Sequence, residues 1–485
     1  MTRRLAALLA PLLAAACASL ETVPSAHLGS AAPELRECAA WFRELDALVD
    51  AAGVRDAQEA RVPGFPYLRV NRLLASFRGQ AGSDERVLRA LVDRMQALDV
   101  AARRLEVAHL PAETATPRAG ACAALMREAD LADPRARAQL IERAAVPDSY
   151  SPALRVFGLY AVAKIPFGAG VRRQEDEVRA AYRRELAPPR EGTVLRYGPP
   201  AAPALARAAV AAMIERASAN ALAIPEPPGE ELERLSAAYA PVFEIELSGE
   251  HDRFGALHWK DGAAMPGVAT AEPVVYRQVA WTRYGQRVLL QLVYTLWFAE
   301  RPPDSDGDIL AGKLDGVTWR VTLAPDGEPL LYDTMHPCGC YHMFYPTPRA
   351  APVAAPDDAI EWMFSPQSLP RIAAGERPVV RIAARTHYVE RVTVARDAGE
   401  SARYAFRPYD ELRSLPRPGR RNASAFGPDG LIAGSERAER FFFWPMGIAS
   451  AGAMRQWGRH ATAFVGRRHF DDADLLEKRF VLQLR

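Results

Sequence analysis

The hydrophobic periodicity of this chain changes near position 240, and this change restricts the fold more than any other feature. Before that position, apolar residues recur every three or four residues, which is the spacing of amphipathic helices. After it, β-branched and aromatic runs alternate with short turn sequences, which is typical of strands. The pattern predicts an α+β fold, with a helical domain at residues 33–240 and a strand-rich domain at residues 241–485. The helical segments are predicted at residues 33–49, 84–100, 134–144, 174–186 and 203–218.

Turn sequences divide the strand-rich half into β-hairpins. Gly285 and Gly327 each lie in a turn sequence between two β-branched or aromatic runs. Short strands at this density predict a mainly antiparallel arrangement, either a sandwich or a partial barrel. The paired runs are residues 274–281 with 288–298, 319–323 with 329–332, and 379–385 with 388–394.

The overall composition is that of a globular protein with no strong charge. The 485 residues include 61 basic and 59 acidic side chains, and 49% of the residues are hydrophobic. Wholesale disorder is excluded, and a nucleic-acid partner is not expected because there is no excess of positive charge. No nucleotide-binding, metalloprotease or serine-hydrolase motif is present in the sequence, so the catalytic residues, if any, are unknown.

The first 17 residues have the layout of a secretory signal peptide. Arg3 and Arg4 precede an apolar run at residues 5–16, which is too short to span a bilayer, and Cys17 follows. Small residues before a cysteine resemble the lipobox of bacterial lipoproteins, although Ala14 stands where leucine is usual. The resemblance implies a lipid-modified Cys17 and a membrane partner, and Ala18 in the next position implies the outer membrane.

The alternative is ordinary signal cleavage after an Ala-x-Ala sequence, which would leave a soluble periplasmic protein. Both interpretations place the chain in the bacterial cell envelope, with residues 18–32 as a flexible tether. In that oxidising compartment the four remaining cysteines are expected to form bridges. Cys38 and Cys122 are the favoured long-range pair, and such a bridge stabilises a fold by roughly 4 kcal/mol.

The other two cysteines lie in the densest cluster of chemically reactive side chains in the chain. Residues 336–342 read His-Pro-Cys-Gly-Cys-Tyr-His, so His336, Cys338, Cys340 and His342 are the candidate ligands of a thiophilic metal, zinc or copper. An extended segment would hold the two histidines about 20 Å apart, too far to share one ion. A four-ligand site therefore requires the segment to bend, which Pro337 and Gly339 permit. A disulfide between Cys338 and Cys340, structural or redox-active, is the competing prediction.

Distant residues are further candidates for this site. His258 or His387 is the histidine expected to join the cluster. A carboxylate from Glu250, Asp252 or Glu390 is the expected general base if the protein is an enzyme.

A separate acidic run, Asp304-Ser-Asp306-Gly-Asp308 followed by Asp315, resembles a calcium loop. Its glycine is not in the position that such a loop requires, so a solvated turn is favoured.

Three functional hypotheses follow from the sequence. The first is a cell-envelope lipoprotein that displays a thiophilic metal site. The second is an enzyme, either a metal-assisted hydrolase or a thiol-redox protein. The third is a non-catalytic envelope scaffold with two structural disulfides. The sequence identifies no protein partner for any of them.

Overall fold

The computed structural model describes residues 23–111, 118–185, 193–397 and 399–484, and it has the α+β fold that the periodicity predicts. The predicted signal peptide, its Cys17 and residues 18–22 of the predicted tether lie outside these residues, whereas residues 23–32 of the tether are described and include a short 3₁₀ helix at Ala26–Gly29. Helices dominate the N-terminal half, and the C-terminal half consists mainly of antiparallel strands. The helices are α1 (Pro33–Ala51), α2 (Arg72–Ala75), α3 (Arg78–Ala81), α4 (Glu85–His109), α5 (Ala119–Ala132), α6 (Pro134–Arg143), α7 (Pro152–Phe157), α8 (Tyr160–Arg183), α9 (Arg207–Ala217), α10 (Gly229–Tyr239) and α11 (Arg440–Phe443).

The helical half is fixed by side-chain caps and by a disulfide. Asp84 accepts hydrogen bonds from the first backbone N–H groups of α4, and Asp133 caps α6 in the same way. The apolar stripe of α1, which includes Phe42, packs into a core with α4, α5 and the hairpin of β1 (Ala60–Val62) and β2 (Phe65–Val70). Cys38 and Cys122 are joined in a disulfide, the pair that the sequence favours, and it links α1 to α5.

The remaining strands form two larger sheets and two short pairs. One sheet contains β5 to β11 and β16, and the other has the order β14-β13-β4-β3-β15. The strands are β3 (Thr193–Gly198), β4 (Val242–Leu247), β5 (Phe254–His258), β6 (Gly267–Ala269), β7 (Val274–Tyr284), β8 (Arg287–Arg301), β9 (Gly312–Leu323), β10 (Pro329–Met335), β11 (Met343–Pro346), β12 (Ala350–Pro352), β13 (Arg377–Ile382), β14 (Val389–Ala395), β15 (Ala402–Arg403), β16 (Ala405–Pro408), β17 (Leu415–Arg417), β18 (Arg420–Ala423) and β19 (Phe480–Leu482).

The three predicted hairpins are confirmed. β7 pairs with β8, β9 with β10, and β13 with β14, all antiparallel. Gly285 and Gly327 form the turns of the first two with φ values of +58° and +78°, a region that glycine adopts without steric strain. The next hairpin along the chain joins β10 to β11, and its loop is the Cys/His cluster at residues 336–342.

One hydrophobic core joins the two larger sheets and reaches across position 240. Phe243 of β4 and Trp319 of β9 belong to it, together with Val210 of α9 and Leu235 of α10. β3 lies before position 240 and pairs with β4 after it. The structure thus shows contacts on both sides of position 240, and the predicted domain boundary between residues 240 and 241 stays a prediction. Among the described residues, no helix is both long and apolar enough to cross a bilayer.

Candidate thiol site

Residues 336–342, called the thiol loop below, bend back on themselves between β10 and β11. The Gly339 N–H donates to the His336 carbonyl at 2.8 Å, and the His336 N–H donates to the Cys340 carbonyl at 2.9 Å. Gly339 has a φ of +92°, and a Cβ atom there would lie 2.4 Å from the carbonyl oxygen of Ala461. Only glycine satisfies both the dihedral angle and the close approach. The bend that the sequence requires of a shared site is therefore present.

The bend brings the two cysteines together but separates the two histidines. His336 Nδ1 donates to Asp315 Oδ1 at 3.1 Å, and His342 Nε2 donates to Asp333 Oδ2 at 2.9 Å. Asp333 pairs across the sheet with Arg320, which is five residues beyond Asp315 on β9. Five residues of strand span about 16 Å, and an odd separation places side chains on opposite faces. The two imidazoles thus attach to opposite faces of the sheet.

Asp315 is the centre of a buried network of charged groups at the base of the thiol loop. Besides His336, it accepts a hydrogen bond from His387 Nδ1 at 2.9 Å and lies 3.2 Å from Arg437 Nη2. The other ring nitrogen of His387 lies 3.4 Å from Asp252 Oδ1. His387 therefore reaches the loop through a carboxylate that it shares with His336. We call Asp252, Asp315, His336, His387 and Arg437 the acid–histidine network.

Burial opposes ionisation throughout the acid–histidine network, and the neighbouring groups overcome it at every member except His336. Despite burial, Arg437, His336 and His387 hold the pKa of Asp315 well below its usual range. Burial also opposes the charge on His387, but its bonds to Asp252 and Asp315 raise its pKa. Burial lowers the pKa of His336, which has only one carboxylate partner. The network thus favours the cationic form of His387 and the neutral form of His336.

On the opposite face, His342 belongs to a separate buried ion pair. Arg320 Nε donates to Asp333 Oδ1 at 2.9 Å, and the guanidinium lies over the ring of Phe470 at 3.7 Å. Burial lowers the pKa of His342 to about 3, although Asp333 acts in the opposite direction. His342 is therefore a neutral donor to Asp333, and it is also one wall of the cavity described below.

Cys338 and Cys340 are both free, and the two side chains interact directly. Cys338 is buried and Cys340 is partly exposed. The Cys340 N–H donates to the Cys338 sulfur at 3.4 Å. The hydrogen bond between the two thiols, followed by burial, raises the pKa of Cys340 well above its ordinary value. The Cys338 sulfur is thus the acceptor in this pair and receives hydrogen bonds from two donors.

Two arginines and one acid surround the thiol pair. Arg455 Nε donates to the Cys338 carbonyl at 3.2 Å, and the Arg455 N–H donates to the Pro337 carbonyl at 2.8 Å. Arg437 and Arg455 interact electrostatically with both sulfurs, and each interacts with Cys338 more strongly. Burial raises the pKa of Glu439 to about 7, against the attraction of Arg437. An electropositive setting beside a group that titrates near neutrality suits thiolate chemistry.

The thiol pair opens into a mainly apolar cavity of about 500 Å³. Its walls come mainly from α8, the thiol loop and residues 439–468. They include Val171, Phe443 and Phe464, and Phe364 of a separate segment completes them. Glu439 also lines the cavity, so its carboxyl shares that space with the two sulfurs. A cavity of this size and character is suited to an apolar ligand or side chain. A second cavity, of about 540 Å³ beside Arg72 and Trp281, contains neither cysteine.

The other predicted site residues are distributed as follows. Asp252 belongs to the acid–histidine network, whereas Glu250 pairs with Arg253 at the surface and Glu390 lies near Arg381. His258 lies on β5, away from the cavity walls. No three His, Cys, Asp or Glu side chains of the described ranges are arranged to hold a metal ion.

Four residues that surround the thiol loop were not predicted from the sequence. Asp315 stood out only as the end of the acidic run, yet it is a fully buried strand residue, while residues 304–308 form an exposed turn. Asp315 lies on β9, 21 residues before His336, and no local pattern in the sequence connects the two residues. Arg437, Glu439 and Arg455 come from irregular segments about 100 residues beyond the thiol loop, and no local spacing connects them to it. Comparison with known proteins adds no further assignment: no family model, curated protein or solved structure matches this chain.

Proposed function

We propose that this chain is a cell-envelope protein that carries out thiol–disulfide exchange at Cys338 and Cys340. The observation that carries the proposal is the pair of free, hydrogen-bonded cysteines at the wall of an apolar cavity, flanked by Arg437 and Arg455. Paired thiols in an electropositive, partly accessible setting are the arrangement that disulfide oxidoreductases use.

Cys338 is the attacking sulfur in this proposal. It accepts hydrogen bonds from the Cys340 thiol and the Cys340 N–H, and both guanidiniums interact with it more strongly than with Cys340. A sulfur with hydrogen-bond donors and guanidiniums around it is the better placed of the pair to attack a disulfide. Cys340 keeps its proton until the second step. The Glu439 carboxylate, whose pKa is about 7, is then the nearby base that can accept this proton.

The reaction balances without a further reductant or oxidant. The Cys338 thiolate attacks one sulfur of a substrate disulfide, forms a mixed disulfide and releases the first substrate thiol. Cys340 then loses its proton and attacks the Cys338 sulfur, which closes the Cys338–Cys340 disulfide and releases the second thiol. The substrate gains two protons and two electrons, and the protein loses the same number. The apolar walls favour a disulfide that carries aromatic or aliphatic groups.

The cell envelope is proposed from the leader rather than from the thiol site. The signal layout before Cys17 supports secretion, with either a lipid anchor in the outer membrane or release into the periplasm. The Cys38–Cys122 disulfide agrees with an oxidising compartment. Disulfide-bearing substrates occur in the same compartment.

The contact between the two sulfurs also favours a second proposal, a thiophilic metal such as copper or zinc held by Cys338 and Cys340. Thiolates are preferred ligands of both metals. The histidines support this proposal less, because Asp315 and Asp333 occupy one nitrogen of each imidazole. Two buried guanidiniums beside the sulfurs also repel a cation, and for this reason we place metal binding second.

Capture of the mixed disulfide tests the leading proposal. The full chain and its Cys340→Ser and Cys338→Ser variants are treated with 2,2′-dithiodipyridine, a neutral aromatic disulfide, and peptide mass spectrometry locates the adduct. We expect the wild type to close its internal disulfide with no adduct, and Cys340→Ser to retain an adduct on Cys338. Cys338→Ser is expected to react at least about tenfold more slowly at Cys340, because burial remains in this variant and still raises the pKa of the Cys340 thiol.

Each variant is the control for the other, since both remove one thiol and leave the rest of the cavity in place. Stable adducts on both cysteines of the wild type would contradict the proposal. So would equal rates for the two variants. Stoichiometric copper or zinc in the purified protein, lost in both variants, would favour the metal proposal instead.

A further inference from the structure

A group of exposed apolar side chains surrounds the N-terminal end of α8, and the next turns of that helix line the thiol cavity. In the described structure, ten large apolar side chains are more than half exposed, and seven of them fall in two short segments. Val162 and Ile165, for example, are 67% and 63% exposed on the first two turns of α8. Such a concentration is unusual on a water-facing surface. We call these residues the apolar collar: Val156, Phe157, Leu159, Val162, Ile165, Phe441 and Phe442.

The two segments of the apolar collar are held together as one surface. Phe167 of α8 and Phe443 of α11 make an edge-to-face contact with ring centroids 5.5 Å apart. Arg155 Nε donates to the Met446 carbonyl at 2.9 Å, which ties α7 to the turn after α11. Phe167 and Phe443 also line the thiol cavity, so the collar continues into the cavity wall.

The tip of the collar has a backbone conformation that apolar residues rarely adopt. Leu159, between α7 and α8, has a φ of +49° and is 70% exposed. A left-handed leucine is strained, and here no burial in the folded chain compensates for it. The corner therefore projects an apolar side chain into solvent at its outermost point, as an interfacial anchor would.

The charges on the α7–α8 segment of the apolar collar have one sign. Residues 152–173 contain Arg155, Lys164, Arg172 and Arg173 and no acidic residue. Apolar and aromatic side chains combined with basic ones are typical of helices that lie in the headgroup region of anionic membranes. A second copy of the chain fits less well, because a symmetric contact would bring the same basic residues face to face.

We propose that the apolar collar docks on the surface of an anionic phospholipid bilayer, with α7, the first turns of α8 and α11 in the headgroup region. The mouth of the thiol cavity would then open at the edge of the membrane, where apolar molecules concentrate. This inference goes beyond thiol–disulfide exchange and does not depend on it, since it rests on exposure and charge alone.

Hydrogen exchange on vesicles tests the docking site directly. The full chain is measured free and with vesicles of phosphatidylglycerol and phosphatidylcholine, and again with phosphatidylcholine alone. We expect backbone amides of residues 153–165 and 440–446 to exchange at least about fivefold more slowly on the anionic vesicles. Because exchange is read at the collar itself, attachment through the leader alone would leave these amides unchanged and would overturn the proposal.

Paired variants separate the collar from general hydrophobicity. The change Val162→Glu with Ile165→Glu is expected to abolish the protection and to weaken vesicle binding at least about tenfold. The matched control is Leu48→Glu with Val100→Glu, two side chains that are 53% and 54% exposed on α1 and α4, and it should bind as the wild type does. Equal loss in both pairs would overturn the proposal. Protection that appears without vesicles and grows with protein concentration would also overturn it, in favour of a self-association surface.

Discussion

Replacing Glu439 with glutamine is expected to stabilise the protein at pH 8 and to have little effect at pH 4. Glu439 is only 2% exposed, and burial raises its pKa to about 7, compared with an ordinary value of 4.5. Between these values the folded state holds a proton that the unfolded state has lost. The free energy of unfolding therefore falls as the pH rises from about 4.5 to about 7.

The size of the change in stability follows from the difference between the folded and unfolded pKa values of Glu439. A difference of about 2.5 pKa units corresponds to about 3 kcal/mol at pH 8, and it vanishes below the unfolded pKa. Glutamine keeps the shape of the side chain and removes the ionisation. Glu439→Gln is therefore expected to gain about 3 kcal/mol at pH 8 and less than about 0.5 kcal/mol at pH 4.

Urea unfolding of wild type and variant at pH 4, 6 and 8 measures the difference. Glu44→Gln is the matched control, because Glu44 is exposed on α1 and its replacement is expected to change stability by less than about 0.5 kcal/mol at every pH. An equal change in the free energy of unfolding at pH 4 and pH 8 on Glu439→Gln would contradict this prediction. A destabilised variant at pH 8 would refute it as well, since Glu439 would then be a stabilising anion.

Three further predictions concern stability. Cys38→Ser should lower the free energy of unfolding by about 4 kcal/mol, because it opens a loop with a sequence separation of 84 residues, and reductant should reproduce the loss in the wild type only. Arg320→Met leaves Asp333 buried without its cation and should lower the free energy of unfolding by about 3–5 kcal/mol; an unfolding midpoint equal to that of the wild type would contradict this. His342 has its pKa lowered to about 3, so as the pH falls below about 6.5 the unfolded imidazole takes up a proton that the folded one does not. The wild type should lose up to about 5 kcal/mol between pH 6.5 and pH 3, and in the same unfolding series His342→Gln should show a shallower loss.

The architecture followed from the sequence where local signals agree with the tertiary fold. The helical stripe of α1 and the turn glycines Gly285 and Gly327 each carry their own physical reason, and α1 and both hairpins are present. The disulfide partner of Cys38 could be inferred because the other two cysteines lie only two residues apart. β3 was missed because it lies in the helical half. Its partner strands, β4 and β15, both lie in the other half of the chain.

The sequence indicated the thiol loop as the candidate site, but it did not predict the contacts that surround the loop. The thiol loop is visible in the sequence because cysteine and histidine are rare in this chain and chemically reactive. The length of an extended segment alone shows that the loop must bend if its histidines are to share one site. Which face each histidine takes depends on the register of β10 against β9, which sets His336 toward Asp315 and His342 toward Asp333. Arg437 and Arg455 lie beside the thiol loop because distant irregular segments pack against it, and the sequence carries no local signal for such packing.

A redox titration of Cys338 and Cys340 in the whole chain shows whether these two thiols form an exchangeable disulfide. The protein is equilibrated in glutathione buffers of graded potential, alkylated, and examined by peptide mass spectrometry, with the Cys38–Cys122 disulfide as the internal reference. We expect both thiols to disappear together in one two-electron transition while the reference disulfide stays closed. Independent alkylation of the two cysteines at every potential, with no internal disulfide formed, would contradict it.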